Sequence, residues 1–152
     1  MSFATGYLSD PTAVGAGEPI GALNMVLSAS DFEDGLKIGR FAKLDTGSLD
    51  NIDSSSTPVI AGVVIRDPAR AVEDGGEVNS DLYNMAQYVR QGIVTVDVVT
   101  GDTPSMFGAV FINNEATADA GKATTTDDAD TEASNAEFLY EVQTDVWAIR
   151  LY

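Results

Sequence analysis

Cysteine and histidine are both absent from this chain of 152 residues. Without cysteine there are no disulfides, no thiol nucleophile and no thiolate metal site. Without histidine there is no Ser-His-Asp or Cys-His triad, no imidazole zinc ligand and no imidazole general base. Basic residues are scarce too: 8 Lys and Arg face 24 Asp and Glu, a formal charge of −16. Phosphate neutralisation by Lys and Arg supplies most nucleic-acid affinity, so DNA and anionic membranes are expected to be poor partners. No run of eighteen apolar residues occurs, and no basic segment followed by an apolar one opens the chain. Neither a membrane span nor a secretory signal is expected, and the chain reads as one made and folded in a cytoplasm.

What remains is carboxylate, hydroxyl, lysine or tyrosine chemistry. The adjacent pairs Glu33-Asp34, Glu73-Asp74 and Asp127-Asp128 lie among turn-forming residues, with no apolar pocket in sequence to raise a pKa. They read as solvated loop charges. Asp128, Asp130 and Glu132 alternate as calcium ligands do, but the central Gly and flanking helices of an EF-hand are missing. Gly15-Ala16-Gly17 and Gly75-Gly76 lack the strand-to-helix setting of a phosphate loop. No catalytic, cofactor or metal residue is therefore assigned.

A chain of this length with 44% hydrophobic residues fits one domain with one sizeable core. Residues 1–20 are rich in Gly, Ala, Ser and Pro and read as an extended arm, with Phe3, Tyr7, Leu8, Val14 and Ile20 as its large apolar anchors. From Leu23 onward short β-type segments dominate. Leu23, Met25 and Leu27 alternate with Asn24 and Ser28, and residues 59–65 form a continuous apolar run that suits a strand covered on both faces. Val94, Val96 and Val98 are expected to point inward, with Thr95 and Asp97 on the opposite face. Residues 80–89 fit a helix or a strand, and their second half is assigned as strand leading through Gly92. Residues 107–112, 138–142 and 146–152 complete roughly eight strands. Trp147, Ile149 and Leu151 share one face and should lie in the core or a subunit interface.

The polar residues 46–57 read as a loop. So do residues 113–137, which hold seven carboxylates, one lysine and no large apolar side chain. That acidic loop of a β-domain spanning 21–152 should be removable without loss of folding.

Gly39-Arg40-Phe41-Ala42, the run from Val59 to Arg66, and Tyr88 to Val96 through Gly92 follow an order that resembles the structural cement, or decoration, proteins of tailed bacteriophage capsids. The resemblance implies an all-β, single-domain sandwich or barrel, jelly-roll-like, without enzymatic activity or cofactor. It also implies a dimer or trimer bound outside an assembled HK97-type shell, with the major capsid protein as partner. Phe3, Tyr7 and Leu8 of the arm would then dock onto the coat or a neighbouring subunit. Another virion role, as a head fibre base or minor tail component, is the next reading. An enzyme of unknown class and an anti-restriction DNA mimic follow.

Overall fold

Two short turns show how local chemistry sets the sheet. Thr46 and Gly47 both take positive φ (50° and 87°), the requirement of a tight I′-type hairpin. They join β3 (Phe41–Asp45) to β4 (Ser48–Asn51). Asp145, with φ 60°, closes the loop between β10 (Thr131–Gln143) and β11 (Val146–Leu151), and Asp tolerates that region better than most residues.

The computed structural model describes residues 15–54, 58–66, 76–81 and 83–152. The remaining strands are β1 (Pro19–Ala29), β2 (Leu36–Lys37), β5 (Val59–Val64), β6 (Glu77–Val78), β7 (Ala86–Asp97), β8 (Ala109–Asn113) and β9 (Ala123–Thr124). Among the described residues there is no helix, and the all-β expectation is met. One antiparallel sheet runs β4-β3-β5-β7-β11-β10-β8-β9, with β1 added on β7, and a small ribbon pairs β2 with β6.

The sheet curls until its ends meet. Phe41 N donates to Gly121 O at 2.9 Å, and the Arg40 guanidinium donates to Ala118 O and Ala120 O at 2.6 and 3.2 Å. Phe41 and Ile52 at one end thus share a core with Val110, Ile112 and Ala123 at the other, around Val94, Val96, Phe138 and Ile149. Each large side chain fully buried here stabilises the fold by about 1.5–3 kcal/mol. A second core lies on the opposite face of β3, β5 and β7, where Ala42, Ala61, Val64 and Tyr88 are covered by Leu36, Ile38, Leu49, Val78 and Tyr83. The apolar run of β5 follows from this double cover: Val63 and Ile65 serve the first core, Ala61 and Val64 the second.

Three sequence expectations need correction. Residues 46–57 are not simply a loop, because Leu49 and Ile52 are buried and anchor β4 against β3. Residues 113–137 contain β9 and the first half of β10, which pairs with β8 (Thr131 with Asn113, Ala133 with Phe111). Ala123, Thr124 and Ala136 are buried there, since small side chains suffice where the curled sheet closes. The arm also ends earlier than Ile20. Gly17 N donates to Thr95 O at 2.7 Å, Thr95 N to Glu18 O at 3.0 Å, and Arg66 N to Gly17 O at 3.0 Å, so the chain is built into the sheet from about Gly15. This cover buries Thr95 completely and half-buries Asp97, the two residues expected to face outward.

Candidate interaction surface

A charged cleft of about 290 Å³ is lined by Lys37, Arg40, Arg66, Glu77 and Asp97 beside Ala16 and Ile38. Its charges neutralise one another. Lys37 pairs with Glu77, Arg40 Nε lies 3.7 Å from Asp97 Oδ2, and Arg66 Nε lies 3.5 Å from Glu18 Oε1. Burial pushes the Asp97 carboxyl above its ordinary range, and the Arg40 guanidinium partly offsets that. These pairs fasten residues 15–18 and the 118–120 turn to the sheet, which gives Arg40 a structural role. Gly39 beside it is fixed by close approach: φ is 78°, and an added Cβ would lie 2.8 Å from the Ala16 carbonyl carbon.

The carboxylates singled out in the sequence are occupied by turns. Glu33 accepts from Asn51 N at 2.8 Å, and Asp34 accepts from Ser80 N and Oγ at 2.8 and 3.1 Å. Asp128 Oδ1 accepts from Asp130 N at 2.9 Å, and Glu132 accepts from Asn114 Nδ2 at 3.1 Å. Glu73-Asp74 lies outside the described residues. Among the described residues, no three carboxylates converge as metal ligands would.

The surface that stands out is β1. Its inner edge pairs with β7, and among the described residues no strand pairs with its outer edge. Leu23 is 96% exposed, and Met25, Val26, Leu27 and the adjacent Met85 are exposed as well. Natural sheet edges usually carry charge that blocks unintended pairing. Residues 19–29 carry none, in a chain where charged residues make up 21%.

Local chemistry shapes this edge. Pairing runs Ile20 with Ile93 and resumes at Met25 with Gln91, so residues 21–24 bulge over Gly92. Asn24 holds the bulge: Nδ2 donates to Ile20 O and Gly21 O at 3.0 Å each, and Oδ1 accepts from Ile93 N at 2.8 Å. Gly92 makes room for it, with φ 124° and the position of a Cβ only 2.9 Å from Asn24 Cα. Leu23 is lifted clear, and after a second register shift at Met25 residues 26–29 form a regular edge that no described strand pairs with. The alternation of Leu23, Met25 and Leu27 suggested an ordinary half-buried strand. The lack of charge over 19–29 could not have revealed the exposed edge, because a covered strand lacks charge too.

Of the other residues assigned from the sequence, Phe3, Tyr7 and Leu8 lie outside the described residues. Ile149 and Leu151 belong to the first core, and Trp147 packs against it partly buried, its ring edge-on to Phe138 at 5.7 Å between centroids. Met106 and Phe107 are exposed at the turn before β8, so that strand begins later than residue 107.

Comparison with known proteins gives one consistent result. The sequence model described as XM1 gp53 minor capsid protein matches residues 4–151. A chain in the solved structure of the capsid of Myoviridae phage XM1 superposes with a TM-score of 0.83 at 32% identity, covering 91% of this chain and 89% of that one. Comparison with curated proteins gives no match.

Proposed function

Because the chain belongs to the XM1 gp53 minor capsid protein family and is a virion structural protein, we propose that it acts as a cement. It binds the exterior of an assembled phage head at junctions between coat-protein capsomers and stabilises the shell. The observation that carries this reading is the match of residues 4–151 to that family, and β1, an exposed apolar edge without charge on a molecule of charge −16, offers a surface for the assembly it requires. Large exposed apolar stretches of this kind mark association surfaces. The remaining carboxylates keep decorated particles soluble and repel DNA.

The mechanism is linkage. A protein that contacts only the expanded lattice stabilises that state by mass action, and repetition around the shell adds avidity to modest contacts. The partners in this reading are an HK97-type major capsid protein and other copies of this chain, in a dimer or trimer. Phe3, Tyr7 and Leu8 dock onto one of these, so that the arm widens the contact. Synthesis takes place in the host cytoplasm, and no nucleic acid, membrane or cofactor takes part.

Purified protein incubated with expanded and unexpanded shells of its own phage should co-sediment with the expanded form alone. Equal binding to both, or to neither, contradicts the proposal, as does measurable duplex-DNA affinity at physiological salt.

A further inference from the structure

We infer that the occupant of the β1 edge that no described strand pairs with is a second copy of this chain, the two β1 strands pairing antiparallel over residues 26–28 about a two-fold axis at Leu27. This rests on the self-association contained in the reading above and gives it a surface and a symmetry. Residues 26–29 are the regular part of the strand, bounded on one side by the register shifts that flank Met25 and on the other by the bend at Ser30. An edge this short, if left unpaired, exposes backbone donors and acceptors together with Met25, Val26 and Leu27. Antiparallel addition of a strand satisfies both at once.

Charge selects the partner. Two molecules of −16 repel each other almost everywhere, and can approach closely only where the surface is neutral. Residues 19–29 provide such a strip. A partner with cations would gain nothing from β1 and would be drawn to the carboxylates elsewhere. A two-fold pair uses one patch on both copies, so a strand that is neutral and apolar meets its own like. In that register Leu27 faces Leu27 and Val26 faces Ser28, and each sheet continues into the other.

The test is the solution mass of the full chain at high micromolar concentration, read by sedimentation velocity. The parent should be a dimer. Leu27→Lys, which opposes two like charges across the axis, should be monomeric with an unchanged circular dichroism spectrum, whereas Val59→Lys on an exposed residue of β5 should remain dimeric. Since the chain has no cysteine, Leu27→Cys, at the one position that faces its own copy, also gives a background-free readout, and should form a covalent dimer on mild oxidation while Val59→Cys does not.

A monomeric parent overturns the inference, as does a Leu27→Lys variant that still dimerises or a Leu27→Cys variant that forms no covalent dimer. If deleting residues 1–14 turns a monomer into a dimer, the chain's own N-terminal segment occupies the edge and the inference fails. If the parent is monomeric but Leu27→Lys loses shell binding, the coat protein is the occupant, which overturns this inference and leaves the cement function standing.

Discussion

Replacing Gly92 with alanine should cost far more than its single methyl suggests. At φ 124° an L side chain is strained by about 1–3 kcal/mol. The new Cβ would also overlap Asn24, whose Cα lies only 2.9 Å from the built position. Asn24 must then withdraw from Ile20 O, Gly21 O and Ile93 N. Three such bonds are worth about 0.5–1.5 kcal/mol each. The sum is about 2.5–7.5 kcal/mol, a fall in Tm of about 5–30 °C for a domain of this size. Gly21→Ala is the control, because φ is also positive (79°) but nothing lies within 4 Å of the added carbon. It should lose only the backbone term, about 1 kcal/mol. Thermal melts followed by circular dichroism measure both, and hydrogen exchange should show the loss of protection centred on β1. Equal melting of the two variants would refute the steric part of the argument, and a Gly92→Ala variant as stable as the parent would refute all of it.

Trp147→Ala removes a partly buried ring that meets Phe138 edge-on, and should cost about 2–4 kcal/mol, with the parent's tryptophan emission partly shielded from water. Deleting residues 123–137 should abolish the cooperative melt, because it removes β9 and half of β10 and leaves β8 without partners. The buried Lys43 amine is held above its ordinary 10.5, chiefly by its hydrogen bond to Asp53 at 2.6 Å. Its folded pKa exceeds the unfolded one, so the pair's contribution is complete below pH 10.5 and lost as pH rises through the folded value. Asp53→Asn should therefore destabilise by about 1 kcal/mol at pH 7, since the carboxylate is largely exposed, and by less in strong alkali; a constant difference across that range would contradict the assignment.

Much of the scaffold was legible where large apolar residues mark it. The alternation of Val94, Val96 and Val98 and the unbroken run of β5 both report how many faces of a strand are covered. Residues 113–137 misled because a core was equated with large side chains, whereas Ala123, Thr124 and Ala136 fill the seam of a curled sheet. Thr95 and Asp97 misled for a related reason: their period-two pattern is real, but backbone from residues 15–18 covers the second face. The interaction surface was hidden because alternating apolar residues look alike on a buried strand and on a free edge. The absence of charge over residues 19–29 does not separate the two, because covered strands lack charge as well.

The central claim, that the chain cements the outside of a phage head, is tested most directly by cryo-electron microscopy of the virion that carries it. The account requires density for this fold on the outer surface of the expanded shell, spanning the junctions between capsomers. Density confined to the tail, to the base of a fibre or to the inner face of the shell would contradict it.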